Sequence, residues 1–355
     1  VRYPTAGTSD SSEAQPFFVN SPFGIYMIHN GNLTNTAEKA IKIREKYHRY
    51  LKTESDTEVL LNTFADKIYT QIKKETADPI ELTFNAVSSL MKDIKGAYAI
   101  ISMINGIGML MFRDPNGIRP LSFGKKSTTA GDEYMFASED AAFHPSGFVK
   151  VRDVKPGEAI LITLDGKIHT HQCVPGKLNP CIFEYIYLAR PDSMMDDISV
   201  YKFQLRLGDT LAKQVQDSGL EIDSIIPVPD SSRPVALELS KATGIKYREG
   251  LVKNRYVGRT FIMPDQKERQ KSVKQKLNII PLEFRNRNIL LVDDSIVRGT
   301  TMRQIVKMCR EAGAKNVYVA SAAPAVRHPN VYGVDMPTRQ ELVAHGLKTE
   351  EIAQT

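Results

Sequence analysis

Cysteine is scarce in this chain, with three in 355 residues, Cys173, Cys181 and Cys309, and no Cys-x-x-Cys spacing. Thiols so few and so far apart argue against the disulfide framework of a small secreted domain and against a structural zinc site. A cytoplasmic location is the expectation. Long apolar runs are missing too. A spanning helix needs roughly 18 apolar residues in a row, and the best stretch, Ala97 to Phe112, is interrupted by Asn105-Gly106. No membrane association is expected. The opening residues, Val1-Arg2-Tyr3-Pro4-Thr5, carry no initiator Met and no basic region followed by an apolar core. The chain is expected to be a fragment.

What is present is ordinary for a globular protein: 42% hydrophobic and 25% charged residues. The length suggests two domains, because single cores rarely outgrow about 250–300 residues. A net charge of +6 invites a nucleic-acid reading, but the excess is local. Lys253 to Lys276 holds eight basic and two acidic residues, which accounts for all of it. Tyr256 and Phe261 are the only aromatics there, a poor stacking platform, so no nucleic-acid partner is expected.

The first half reads as mostly β-structure with a few helices. Asn105-Gly106, between Ala97–Ile104 and Ile107–Arg113, predicts a type I′ hairpin turn. Further strands fit Glu133–Ala137 and Glu158–Thr163. A helix is predicted over Asp56–Lys73, opened by the capping box Ser55-x-x-Glu58. After Gly176 the rhythm changes. Short β-branched runs at Ser224–Val228, Asn288–Val292 and Asn316–Ala320 suit buried parallel strands. They alternate with helices predicted at Leu205–Gln216, Pro234–Thr243 and Thr301–Ala312, a βαβ pattern whose ligands bind beyond the strand C-termini. The boundary is expected between Cys173 and Cys181, dividing the chain into 1–175 and 176–355.

Chemistry concentrates in Leu290-Leu-Val-Asp-Asp-Ser-Ile-Val-Arg-Gly-Thr-Thr301. An apolar strand ends at two adjacent acids, Asp293 and Asp294, and Ser295, Ile296, Val297, Arg298, Gly299, Thr300 and Thr301 lead into a helix. Amides at a turn and a helix N-terminus attract a phosphate, and Gly299 lets the backbone approach it. The paired carboxylates can accept from vicinal ribose hydroxyls and help hold Mg²⁺, a hard, oxygen-seeking ion. A second loop, Pro227 to Arg233, should lie alongside if the two strands are neighbours, with Ser231 reaching the metal.

This loop resembles the phosphoribosyl pyrophosphate motif of type I phosphoribosyltransferases. The strings YIYLARPDS (185–193), KNRYVGRTFIMP (253–264), RYPTAG (2–7), HNGNL (29–33) and FRDPNGIRPL (112–121) narrow the likeness to glutamine phosphoribosylpyrophosphate amidotransferases, across nearly the whole chain. The resemblance implies an Ntn-type glutaminase domain, α+β and here N-terminally incomplete, followed by an α/β phosphoribosyltransferase domain with a parallel sheet, here lacking its C-terminal end. It implies synthesis of 5-phosphoribosylamine from phosphoribosyl pyrophosphate, glutamine and water, the first committed step of purine synthesis. Purine nucleotide feedback inhibitors and a homo-oligomer are implied as partners.

Carried over, Asp293, Asp294 and Ser231 match the metal site, and Ser295 to Thr301 the 5′-phosphate loop. Lys253, Tyr256 and Arg259 match the closing loop, Lys253 to Asn278. Asn30 and Gly31 match the oxyanion hole; Arg2 and Asp56 match the glutamine-binding residues. Read alone, Asn30-Gly31 is a turn pair and Asp56 a first-turn acid opposing a helix dipole. The family's nucleophile is an N-terminal cysteine; Val1 stands first here, and no internal cysteine offers a free α-amine. Some members hold an iron–sulfur cluster. Cys181 falls at one ligand position but Asn330 at another, so no cluster is expected. A degenerate transferase fold that only senses nucleotides is the competing reading; the intact Asp293, Asp294, Arg298, Thr300 and Thr301 speak against it.

Overall fold

The structure, a computed structural model, describes residues 10–254, 277–333 and 338–352. Two compact units emerge, one built mainly from the chain up to Glu184 and the other mainly from Tyr185 onward. Ser193–Asp197 and a short stretch from Asn330 belong with the first.

The first unit has strands β1 (Phe17–Val19), β2 (Ile25–Leu33), β3 (Gly96–Ile104), β4 (Gly108–Arg113), β5 (Ser122–Thr128), β6 (Gly131–Ala137), β7 (Val149–Asp153), β8 (Glu158–Thr163) and β9 (Ile168–Gln172). Helices α1 (Thr36–Glu45), α2 (Asp56–Lys73) and α3 (Pro79–Asp93) lie between β2 and β3 in the chain. Six strands form a sheet in the order β1-β2-β3-β4-β8-β9, and β6-β5-β7 form a second. Alternation along the strands gives the large sheet two apolar faces. Ile25, Met27, Tyr98, Ile100 and Phe112 pack on Leu60, Phe64 and Ile68 of α2 and Val87 and Leu90 of α3. Ala99, Met111 and Ile160 face Phe123 and Phe136 of the smaller sheet. Each large side chain fully buried here contributes ~1.5–3 kcal/mol.

Helix α2 occupies the predicted span, with the Ser55 hydroxyl accepting from the Thr57 amide at 3.3 Å. The capping box does not close. Glu58 instead accepts from the amides of Lys52 and Thr53 and from the Thr53 hydroxyl, because the incoming chain folds back over the helix start. The 105–106 turn differs from type I′ as well. Positive φ falls on Gly106 (77°) and Gly108 (152°) but not on Asn105, so three residues join β3 to β4. Helix α3 was not read from the sequence, although Asp78 caps it and Pro79 opens it.

The two-residue strand β10 (Met194–Met195) belongs to the first unit; the second unit takes in the two-residue strand β11 (Ile198–Ser199). It comprises α4 (Val200–Asp217), β12 (Ser224–Pro227), α5 (Arg233–Thr243), β13 (Lys246–Tyr247), β14 (Leu251–Lys253), β15 (Leu277–Ile279), β16 (Asn288–Asp293), α6 (Thr300–Glu311) and β17 (Asn316–Ser321). Strands β13-β12-β16-β17 form a parallel sheet. Ile225, Leu290 and Val292 bury against Leu211, Val235 and Leu239 on one face. Ile226, Ile289 and Leu291 bury against Met302, Ile305 and Cys309 on the other. All three predicted helices form, and α4 begins five residues earlier than the periodicity suggests.

Candidate functional site

In the first unit, candidate residues gather where β2 runs beside β3. Gly31 pairs with Tyr98 and has φ +150°. A Cβ there would stand 2.0 Å from the Ala97 carbonyl oxygen and 2.9 Å from His29 Nε2, so only glycine fits. Asn30, next along the strand, is clamped from two sides. Its Oδ1 accepts from Arg119 Nη2 at 2.5 Å, and its Nδ2 donates to the Ser138 hydroxyl at 2.8 Å. A guanidinium carries donors only, so this contact fixes which end of the carboxamide is oxygen. The second N–H of Nδ2 is left, among the described residues, for a ligand oxygen.

Arg119 is itself held. Its Nη1 lies 2.7 Å from Glu184 Oε1, with both side chains nearly buried. Burial pushes the Glu184 carboxyl up, and the Arg119 charge opposes that shift. The turn delivering Arg119 is shaped by Asp114, whose buried carboxylate accepts from the amides of Asn116, Ile118 and Arg119.

Asp56 is not a solvated first-turn acid. It is buried; its Oδ2 accepts from the Leu33 amide at 3.0 Å and lies 3.6 Å from His29 Nδ1. Asn30 and Gly31 thus lie on one strand, and Asp56, at the start of α2, meets that strand at His29 and Leu33. Arg2, the remaining glutamine-binding candidate, lies outside the described residues. Arg119, Ser138, Glu184 and His29 took no role in the sequence reading, since their partners are far away in the chain.

In the second unit, β12 lies directly beside β16, with Pro227 opposite Val292, so the two candidate loops leave the sheet edge side by side. Ser231 Oγ donates to Asp294 Oδ2 in a very short contact, and Ser295 Oγ donates to Asp294 Oδ1 at 2.6 Å. Asp293 Oδ1 accepts from the Asp294 amide at 2.9 Å and lies 3.4 Å from Ser232 Oγ. Withdrawal from water pushes both carboxyls above their usual range, and the charge of Asp294 drives Asp293 further. Hydroxyl and amide donors offset this only in part. Among the described residues no Lys or Arg forms an ion pair with either acid.

Beyond the acids, the loop turns through Gly299, which has φ +71° and caps α6. Arg298 Nε pairs with Glu341 Oε2 at 2.6 Å. Lys253 Nζ lies 3.0 Å from Asp230 Oδ2. Burial would raise that Asp230 carboxyl, but Lys253 and Arg233 outweigh it and hold it low. Tyr256 and Arg259, with the rest of the closing-loop candidate from 255 to 276, lie outside the described residues.

Cys181 and Asn330, matched above to two cluster positions, do come together, with Asn330 Nδ2 3.7 Å from Cys181 Sγ. Burial pushes the Cys173 thiol up to about 11 and the Cys309 thiol up to about 12, so neither is a ready nucleophile. Among the described residues there is no group of three or more His, Cys, Asp or Glu side chains that could hold a metal. Nor is any helix long and apolar enough to cross a membrane.

An amide-donating strand end in one unit and an acid pair over a parallel sheet in the other define a two-domain class. Residues 5–145 match the glutamine amidotransferase domain family, and residues 201–335 match the phosphoribosyl transferase domain family. The amidophosphoribosyltransferase of Pseudomonas aeruginosa is 56% identical over all of this chain and 71% of its own length. That of Saccharomyces cerevisiae is 48% identical over all of this chain and 70% of its own length. The solved glutamine phosphoribosylpyrophosphate amidotransferase of B. subtilis, complexed with ADP and GMP, superposes with a TM-score of 0.82 at 38% identity, covering 100% of this chain and 73% of that one. The chain belongs to the amidophosphoribosyltransferase family.

Proposed function

We propose that this chain makes 5-phosphoribosylamine from phosphoribosyl pyrophosphate, using nitrogen released from glutamine, at the first committed step of purine synthesis. One observation carries the reading: Asp293 and Asp294, buried or half-buried and paired with no Lys or Arg among the described residues, stand at the C-terminal edge of the parallel sheet beside Ser231 and ahead of a glycine-turned helix start. Two acids raised by burial, Asp293 further by the charge of Asp294, favour ligands that bring positive charge or hydroxyl donors.

Ser231, Asp293 and Asp294 fit Mg²⁺, which is commonly held by one or two carboxylates together with substrate phosphates. When bound it would neutralise charge on the departing pyrophosphate. The acids accept from the ribose hydroxyls, while Ser295 to Thr301 cradle the 5′-phosphate with backbone amides and the two Thr hydroxyls. The segment Lys253 to Asn278 covers the sugar and excludes water from a centre that would otherwise be hydrolysed. In the glutaminase unit, the free N–H of Asn30 and the backbone of Gly31 meet the oxyanion formed at the glutamine amide; one well-placed donor contributes ~3–4 kcal/mol. Arg2 holds the glutamine carboxylate and Asp56 its amino group. Cys181 beside Asn330 supports a member without an iron–sulfur cluster, because an amide supplies no thiolate. Purine nucleotides act as feedback ligands, the chain assembles as a homo-oligomer, and it works in the cytoplasm.

Calorimetry with phosphoribosyl pyrophosphate and Mg²⁺ tests the core of this. Asp294→Asn is expected to weaken binding about 10–100-fold, the cost of losing a charged acceptor, and Thr301→Val by less. Unchanged affinity in both variants overturns the assignment. Pyrophosphate release driven by ammonium at alkaline pH isolates the transferase chemistry from the glutaminase half.

A further inference from the structure

The phosphate loop does not hold its shape alone. Behind it runs the segment Arg339–Leu347, which played no part in the sequence reading. Its chain is wound into consecutive turns: the Leu342 amide donates to the Arg339 carbonyl at 3.1 Å and the His345 amide to the Leu342 carbonyl at 3.0 Å. Leu342 and Ala344 are buried, and the Arg327 guanidinium grips the carbonyls of Ala344 and Leu347. The segment is therefore anchored independently of the loop it touches.

Three contacts join the two. The Val343 amide donates to the Val297 carbonyl at 2.9 Å. Glu341 takes Arg298 Nε at 2.6 Å. The Val343 side chain fills the space beside Gly299, where a Cβ would meet it at 3.3 Å. A carbonyl and the amide that directly follows it share one planar trans peptide and point opposite ways. With the Val297 carbonyl held by Val343, the Arg298 amide points away from the strap. The Arg298 side chain is held by Glu341 through the same segment.

We propose that Arg339–Leu347 is a positioning strap that pre-forms the 5′-phosphate cradle, with Glu341 and Val343 as its working residues. The inference rests on the reading of Ser295 to Thr301 as a phosphate loop. It adds that affinity for the 5′-phosphate is set by residues some 40 positions downstream that touch no ligand. The strap contacts the loop at Val297 to Gly299, and among the described residues it forms no hydrogen bond or ion pair with the side chains of Asp293, Asp294 or Ser231. Its influence should be confined to ligands that carry a 5′-phosphate.

Two variants preserve the net charge and so leave the electrostatics of anion binding intact. Val343→Pro deletes the amide that holds Val297. Glu341→Asp keeps the carboxylate but shortens it away from Arg298, and it serves if the proline variant does not fold. Calorimetry is run with ribose 5-phosphate and, separately, with pyrophosphate and Mg²⁺. Loss of a fixed hydrogen bond corresponds to about a five- to tenfold loss in affinity, and that loss is expected for ribose 5-phosphate with Val343→Pro. Glu341→Asp should give a smaller loss of the same sign, and pyrophosphate affinity should stay within about twofold in both. Equal weakening of both ligands would make the strap a general structural support, and no weakening of either would make it a bystander; each overturns the proposal. Parent protein that binds no ribose 5-phosphate would instead overturn the reading of the loop itself, and the strap's role with it.

Discussion

In the second half of β2 the Asn30 carboxamide is gripped at both ends, by Arg119 and by Ser138, and the Arg119 charge is matched by Glu184. At the end of β16 two carboxylates stand side by side, and among the described residues their side chains are met by hydroxyl and amide donors but by no Lys or Arg ion pair. On the proposed function, the difference follows from what each site would meet. An oxyanion donor must already point at the place where charge will develop, so its orientation is fixed during folding. A site for a sugar, a divalent cation and a pyrophosphate works better when its own charge is left uncompensated until they arrive. The first site stores order; the second stores repulsion.

The largest expected effect lies in the ordered site. Arg119→Met would strand the buried Glu184 carboxylate and release the Asn30 carboxamide. Breaking one partner of such a pair costs ~3–5 kcal/mol, and urea unfolding of the variant should show a loss of that size. Ribose 5-phosphate affinity in the second unit should stay unchanged. A loss well under 1 kcal/mol would mean that Glu184 is neutral in the parent, and the contrast in charge matching would fail.

The repulsive site should respond in the opposite direction. Asp293→Asn removes one of two adjacent charges while keeping the shape and an acceptor oxygen. At neutral pH it is expected to stabilise the second unit by ~1–2 kcal/mol. Thermal unfolding should show a rise of a few degrees, while binding of phosphoribosyl pyrophosphate with Mg²⁺ collapses. A destabilised variant would show that Asp293 is structural and that no repulsion is stored there.

The transferase unit was the more legible of the two from sequence. Its strands are short β-branched runs, its helices end on recognisable signals, and the residues proposed to carry its chemistry, Asp293 to Thr301, are contiguous in the chain. Ser231 needed one further step, the adjacency of β12 and β16, which parallel βαβ order makes natural. The glutaminase unit distributes its site. Asn30, Arg119, Ser138 and Glu184 come from four separate places, and no local pattern links an arginine after a turn to an asparagine 89 positions earlier. The strap escaped for the same reason, since Val343 acts through a backbone amide that any residue but proline could supply. Local errors have local causes. Glu58 satisfies the spacing of a capping box, yet the amides of Lys52 and Thr53 reach it first.

The smallest expected effect separates the two clamps on Asn30. Ser138→Ala deletes the hydroxyl that accepts from Nδ2 but leaves Arg119 on Oδ1. A neutral hydrogen bond in a half-buried setting contributes about 0.5–1.5 kcal/mol, and water can enter where the hydroxyl was, so the loss should fall at the lower end. The orientation of the carboxamide should survive, because flipping it would set an NH₂ group against a guanidinium that has only donors to offer. The side-chain amide resonances of Asn30 offer a direct view. They should stay a single, slowly exchanging pair in Ser138→Ala and lose that definition in Arg119→Met. If the serine variant disorders the amide as much as the arginine variant does, the hydroxyl shares the work of orientation. The ordered site would then depend on a neutral contact as much as on the ion pair behind it.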